Sequence, residues 1–434
     1  MTNGVSVREL VLDMLMEIHE KEQYSHLVLR DVLNKYQYLE KQERAFLTRL
    51  TEGTTEHLLE MDFIINSFSK VKVKKMKPLI RNLLRMSVYQ LKYMDSIPDA
   101  AVCNEAVKLA KKRGFGQLRG FVNGVLRNIA RELVNLNYPD KNIEPTAYLE
   151  VKYSIPAWIV EKWLKDYGME RTESLCRSFL EEKPITIRTN LTRCTPQELQ
   201  EKLQAEGVTV EKVPALDYAF AISGFDYLNG LDSFIQGLFY VQDISSMMVA
   251  EAAAPQEDNY IIDVCAAPGG KASHLAEKLH GTGMVEARDL TEYKVSLIEE
   301  NIDRNGLSNM KAVQMDATVY DEDSCEKADV LICDLPCSGL GVMGKKTDIR
   351  YKMTPEKQQE LVQLQRQILE TVHGYVKKGG TMVYSTCTIH RDENEGNVAW
   401  FVEKYPEYEL ISQEQMLPGE TYHDGFFIAK LIRR

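Results

Sequence analysis

The sequence predicts an α/β protein: a doubly wound, mostly parallel sheet in the C-terminal half, preceded by an all-α helical bundle and a small α/β module. Three observations predict it. From Tyr260 onward, short apolar runs alternate with amphipathic stretches, as strands alternate with crossover helices. One such run, Tyr260–Val264, breaks into small and turn-forming residues, Cys265-Ala266-Ala267-Pro268-Gly269-Gly270, before Lys271 opens a helical pattern. Over residues 5–133, apolar residues recur at three- and four-residue steps, the mark of helices with one buried face. The expected division is 1–139, 140–236 and 237–434.

In the first part, Val7, Leu10, Val11, Met14, Leu15 and Ile18 form one apolar stripe. Further helices are expected over Glu43–Leu59, Met76–Met94, Ala100–Lys112 and Phe121–Ala130, with Gly114 and Gly116 marking a turn. Within this bundle, ERAFLTRLTEGT (43–54) and GFVNGVLRNI (120–129) resemble NusB, a small helical RNA-binding domain. The net charge of the 434 residues is −11, yet it is unevenly spread. Between Lys70 and Arg131, nine Lys and six Arg face only Asp95, Asp99 and Glu105, leaving the segment at +12 and the remainder at −23. Such segregation suits a polyanion-binding face; a solvated bundle surface without a partner is the plainer alternative.

The middle part opens with the amphipathic YSIPAWIVEKWLKDYG (153–168), with Trp158, Ile159, Trp163 and Leu164 on one side. Residues 184–190 and 208–213 read as strands around a helix at 195–207. A sheet-based RNA platform is conceivable there, but no aromatic RNA-binding motif is visible, so a spacer is the expectation. In the last part the expected strands are 260–264, 283–287, 311–315, 328–333, 381–385 and 426–431, and the helices 271–279, 291–305, 355–377 and 393–404. Residues 339–344, GLGVMG, match a dinucleotide fingerprint by letter, but no helix pattern follows them directly, so the match reads as chance.

The eight cysteines are scattered without a CxxC pair, so neither a disulfide framework nor a metal is expected, Cys333, Cys337, Cys387 and His390 being the nearest approach to a ligand set. No apolar run approaches the ~18 residues of a membrane span. The first residues read as an amphipathic helix and not a signal peptide, so a cytoplasmic monomer is the expectation.

In a doubly wound sheet, ligands sit beyond the carboxyl ends of the strands at the point where strand order reverses. The polar residues there are Gly269 and Gly270 after the first strand, Asp289 twenty residues beyond Gly269, Asp316 beside Ala317, Asp334-Leu335-Pro336-Cys337-Ser338-Gly339, and Ser385-Thr386-Cys387. Asp289 suits a ribose diol. A single acid after a strand is commonly a helix cap; acids and thiols at four consecutive strand ends are not explained that way.

Together CAAPGGK, DLPCSG and YSTCT resemble the RNA (cytosine-5) methyltransferase family, and with the NusB-like bundle in front the likeness spans essentially the whole chain, to members acting on small-subunit ribosomal RNA. The resemblance implies a Rossmann-like domain binding S-adenosylmethionine through Cys265, Ala266, Ala267, Pro268, Gly269, Gly270, Lys271, Asp289, Asp316 and Asp334. It further implies methyl transfer to carbon 5 of a cytosine in 16S ribosomal RNA. Cys387 is then the nucleophile, Cys337 assists product release, and Asp334 holds the cytosine's polar edge. Two departures stand out: the usual DAPCSG is DLPCSG, and the usual basic-His-Pro-Asp loop reads Lys345-Lys346-Thr347-Asp348. Lys345, Lys346 and Arg350 on that loop are candidate RNA contacts. The alternatives are an amino-group methyltransferase, which needs no thiol, and a non-catalytic RNA-binding or antitermination protein, which needs no strand-end acids.

Overall fold

In a computed structural model, residues 6–419 and 423–434 are described; Val5, where the helical pattern begins, lies outside them. The chain forms two compact units, Met1–Leu180 with Met343–Met353, and Glu181–Val342 with Thr354–Arg434. The first is helical: α1 (Val7–Glu20), α2 (Ser25–Lys35), α3 (Lys41–Glu56), α4 (Leu58–Phe68), α5 (Pro78–Tyr93), α6 (Asp99–Lys112), α7 (Arg119–Glu132), α8 (Pro145–Tyr153) and α9 (Ala157–Ser178). Pro78 starts α5 at a position where its missing N–H costs nothing. That helix is buried on nearly every side from Leu83 to Gln90, as the central member of a bundle must be. Its polar residues are paired: Arg85 grips Asp62 with two 2.7 Å bonds, and Asn82 donates to Glu20 at 2.8 Å. The single helix expected over 43–59 is instead two, because the backbone leaves helical geometry at His57.

The second unit begins with β1 (Ile185–Thr189), α10 (Pro196–Ala205), β2 (Thr209–Lys212), β3 (Ala219–Ser223), the short α11 (Asp232–Ile235) and β4 (Phe239–Val241). The strands form an antiparallel sheet in the order β2-β3-β1-β4. One face packs Ile187, Phe220 and Phe239 on Leu199 and Leu203 of α10. The other carries Ala219 and Ala221 against Ile244 and Met247, and the buried Arg188 side chain pairs with Glu277. Both faces are covered, so this sheet is no open RNA platform.

After α12 (Ile244–Ala253) come β5 (Tyr260–Asp263), α13 (Gly270–Lys278), β6 (Met284–Asp289), α14 (Glu292–Asn305), β7 (Met310–Gln314), β8 (Ala328–Asp334), α15 (Ile349–Lys352), α16 (Pro355–Val372), β9 (Val376–Thr386), α17 (Glu395–Lys404), β10 (Tyr408–Met416) and β11 (Phe426–Arg433). Their sheet has the order β10-β11-β9-β8-β5-β6-β7, parallel from β9 to β7 with β11 and β10 antiparallel at one edge. Alternate residues serve opposite faces, as the strand period requires. Val330 and Ile332 join Leu275 and Ile298 on one side, while Leu331 and Cys333 join Leu369 and Phe401 on the other. Order reverses at β5, between β8 and β6. β10 was not expected, and the helix expected to reach 377 ends at Val372.

The segment Met343–Met353 leaves the sheet and belongs to the helical unit. Asp348, 1% exposed, accepts the Ser25 hydroxyl at 2.6 Å and the Ser25 N–H at 3.1 Å, and also pairs with Lys352. The Tyr351 hydroxyl reaches the Glu56 and Ser154 carbonyls at 2.9 and 3.0 Å. Arg350 corrects a sequence expectation. It is fully buried, its guanidinium donating to the Met343 and Tyr153 carbonyls at 3.0 and 3.3 Å, so it is no RNA contact; Lys345 and Lys346 are exposed.

Candidate active site

The glycine turn joins β5 to α13 at the reversal point. Gly269 sits at φ 102°, a left-handed conformation that only glycine adopts without strain, and it lets α13 start immediately. Over Gly270 an added Cβ would meet nothing within 4 Å. The turn therefore presents open space at a helix N-terminus, where negative charge and hydrogen-bond acceptors are favoured. Asp289, at the carboxyl end of β6, braces it. One oxygen accepts the Ala267 N–H at 3.0 Å, and the other accepts Leu290 N–H and the Lys294 ammonium, each at 2.8 Å. Asp316 stands apart after β7. Its carboxylate takes the Thr318 N–H at 2.8 Å and hydroxyl at 2.6 Å, bonds that hold it below the usual carboxylate range. Beside it, Val264, Met315, Ala317 and Tyr375 line a small recess.

Lys271, in the first turn of α13, links the turn to the neighbouring strand. Its ammonium donates to Asp334 at 2.7 Å, and the other Asp334 oxygen accepts the Ser385 hydroxyl at 2.8 Å. Register places Asp334 directly beside Ser385 on β9. Burial works against the Lys271 charge, but Asp334 overcomes it, and the ammonium is held above its ordinary value. Cys265 is pushed the other way for a nucleophile: burial first, then Asp263, Asp289 and Asp334, raise its thiol and keep it protonated.

Cys337 and Cys387 come together from the ends of β8 and β9, their sulfurs 3.3 Å apart. The hydrogen bond to Cys387, then burial, raises the Cys337 thiol well above its ordinary value. The loops bearing them approach too closely for side chains. At Gly341 a Cβ would fall 2.0 Å from the Gly425 carbonyl oxygen, and the Gly341 N–H donates to the Cys387 carbonyl at 3.0 Å. GLGVMG, dismissed as a nucleotide fingerprint, thus contributes a backbone contact of the cysteine loops.

Sequence reasoning missed Asp263, the last residue of β5. It is 1% exposed, one oxygen accepts the Cys265 N–H at 3.3 Å, and the other is buried without a hydrogen-bond partner among the described residues. Burial, then the Asp334 charge, pushes its carboxyl up to about 7. A lone acid inside an apolar buried strand was the available signal. It placed Ser385 at this rim but missed its bond to Asp334 and the Ser338–Glu393 contact.

In the helical unit, the basic segment is partly neutralised. Arg81, Arg85, Lys92, Lys108, Lys112, Arg113 and Arg131 all pair with carboxylates. Lys70, Lys72, Lys74, Lys75, Lys77, Lys111, Arg119 and Arg127 are exposed with no carboxylate partner among the described residues.

Three family models match the chain: 16S rRNA methyltransferase RsmB/F over residues 250–432, the NusB family over 5–131, and the RsmF/B-like ferredoxin-like domain over 155–225. A probable ribosomal RNA small subunit methyltransferase B of Bacillus subtilis (strain 168) is 39% identical, covering 99% of each chain. A ribosomal RNA small subunit methyltransferase B of Klebsiella pneumoniae is 29% identical over all of both chains. Among solved structures, the crystal structure of PH0851 superposes with a TM-score of 0.83 at 25% identity, covering 99% of each chain. NSun6 from Pyrococcus horikoshii with SFG, at a TM-score of 0.58 and 23% identity over 64% of this chain and 98% of its own, shares the fold. Matched from end to end by relatives of one kind, the chain belongs to the ribosomal RNA small subunit methyltransferase B family.

Proposed function

We propose that this chain transfers the methyl group of S-adenosylmethionine to carbon 5 of a cytosine in 16S ribosomal RNA, through a covalent adduct between Cys387 and the base. The observation that carries the reading is the pair of sulfurs 3.3 Å apart at the strand ends where Lys271 and Asp334 are bonded. An amino-group methyltransferase has no use for either thiol.

The residues fit the cofactor. The open glycine turn suits a close-approaching carboxylate or nucleoside, Asp289 a ribose diol, and Asp316 beside Ala317 after β7 an adenine edge. Bound S-adenosylmethionine supplies an electrophilic sulfonium methyl group. Carbon 5 of cytosine is a poor nucleophile within its aromatic ring. Cys387 overcomes this by adding its sulfur to carbon 6, which breaks aromaticity and makes carbon 5 enamine-like. The Lys271 ammonium lies within electrostatic reach of Cys387 and favours the thiolate. Asp334 keeps lone pairs beyond those given to Lys271 and Ser385, and with them it accepts from the cytosine amino edge.

Cys337 acts last. Its thiol is raised first by the hydrogen bond to Cys387 and then by burial, and the first of these causes is lost once Cys387 is bonded to carbon 6. Cys337, once it has given its own proton to solvent, takes the carbon 5 proton as the thiolate, and the electron pair left behind expels Cys387. The target base must leave its stack to reach these groups. The exposed cations of the helical unit hold phosphates and so position the RNA without reading sequence.

The test is incubation of the protein with methyl-labelled S-adenosylmethionine and small-subunit RNA lacking the mark. Mapping of 5-methylcytosine supports the proposal; label on an exocyclic amine refutes it. Cys387→Ala should abolish transfer and form no adduct, whereas Cys337→Ala should trap a protein–RNA adduct on a denaturing gel. The opposite pattern would exchange the two roles.

A further inference from the structure

Glu393 lies six residues beyond Cys387, in the turn before α17, and is fully buried. Its carboxylate reaches the other cysteine loop. The N–H of Ser338, the residue after Cys337, donates to one oxygen at 2.8 Å, and the Ser338 hydroxyl donates to the other at 2.5 Å. Gln365 on α16 ties the remaining side: its amide donates to Glu393 at 3.1 Å and to the carbonyl of Pro336, the residue before Cys337, at 2.9 Å. Ser338 Oγ also meets Thr388 Oγ1, next to Cys387, at 2.8 Å. Both neighbours of Cys337 are thus fixed, directly or through Gln365, to one carboxylate on the Cys387 side.

A buried carboxylate is expensive unless its oxygens are well bonded. None of the hydrogen bonds just described comes from a cation, and burial raises this carboxyl. A chain needing only to close two loops would do so more cheaply with apolar packing, which does not fix a sulfur–sulfur distance. Directional bonds do.

We propose that Glu393 is the positioning residue that sets the separation of the Cys337 and Cys387 sulfurs, acting through Ser338. In consequence it governs release of the methylated base; this consequence rests on the cysteine roles given above, the positioning itself does not.

The full-length reduced protein is treated with diamide, a thiol oxidant that takes up both hydrogens as two thiols join in one disulfide. Wild type forms the Cys337–Cys387 bond, identified by peptide mass mapping, since its sulfurs need close only from 3.3 Å to about 2.05 Å. Glu393→Ala slows this cross-link about tenfold or more, while Glu393→Gln, whose amide oxygen still accepts the Ser338 N–H, stays within about threefold of wild type. S-adenosylmethionine affinity, measured by calorimetry, reports that each variant is folded. Should Glu393→Ala not fold, Ser338→Ala replaces it, with a slowing of about threefold from the lost hydroxyl bond. Cross-linking of Glu393→Ala, or of Ser338→Ala in its place, at the wild-type rate overturns the proposal. On RNA, Glu393→Ala accumulates the trapped adduct as Cys337→Ala does. Slowed cross-linking without that adduct, where Cys337→Ala does trap it, leaves the positioning supported and overturns the control of release by Glu393.

Discussion

Asp263 makes a stability prediction that runs against the usual behaviour of carboxylates. In the folded chain its carboxyl titrates at about 7 because it is buried beside Asp334; in the unfolded chain it titrates at about 3.9. Between these values the folded state keeps a proton that the unfolded state has released, so stability falls as pH rises. At about 1.4 kcal/mol per unit, the full penalty is about 4 kcal/mol above pH 7, of which about 3 kcal/mol develops between pH 5 and 8. These are upper figures, because local relaxation and water entry reduce the cost of the charge. Asp263→Asn keeps an acceptor for the Cys265 N–H and removes the charge. The variant should therefore gain on wild type as pH rises, by up to that 3 kcal/mol. Equilibrium denaturation of both proteins at pH 5, 6, 7 and 8 measures the gap. Parallel curves would mean that Asp263 does not titrate in this range, and the electrostatic account of the β5 end would fail. A second arm uses Asp334→Asn, which removes the nearest like charge. With that charge gone the Asp263 carboxyl titrates lower, nearer its unfolded value, so the total loss with rising pH should shrink and be complete at a lower pH.

Asp289→Ala should weaken S-adenosylmethionine by about 1–3 kcal/mol, since charge-assisted bonds are lost and the Ala267 N–H is released; unchanged affinity by calorimetry removes Asp289 from the site. Asp348→Ala should destabilise the helical unit by about 3 kcal/mol, because the Ser25 groups and Lys352 lose a buried partner; a melting temperature equal to wild type contradicts this. Reversing Lys74, Lys75 and Lys77 to Glu should weaken RNA binding and lower its salt slope by about 0.7–0.9 for each phosphate no longer neutralised, with cofactor affinity intact. An unchanged slope would make that lysine run a plain solvated surface.

The strands of the parallel sheet were legible because burial on both faces writes them as apolar runs. β10 was not: YELISQEQM is an edge strand with most residues exposed, so it carries no such run. Strand ends named Asp289, Asp334 and the cysteines, since topology alone sends them to one rim. Partners separated by long sequence intervals left no local trace. Glu393 meets Ser338 across 55 residues and Asp348 meets Ser25 across 323, and neither pair has a periodicity to reveal it. Arg350 shows the same limit in reverse, for charge near a basic loop reads as solvent-facing until its burial is known.

The insertion of Met343–Met353 into the helical unit sets an order of events during synthesis. Residues 1–180 leave the ribosome early, yet Asp348, the partner of Ser25, is made only after another 167 residues, 181–347. At about 5–20 residues per second, the interval is roughly 8–30 s. Throughout it, the Ser25 hydroxyl and the Tyr153 carbonyl face water or a chaperone in place of Asp348 and Arg350. The unit that is translated first is therefore completed only when most of the sheet has been made, and a chain stalled before residue 353 carries an unfinished bundle however long it waits.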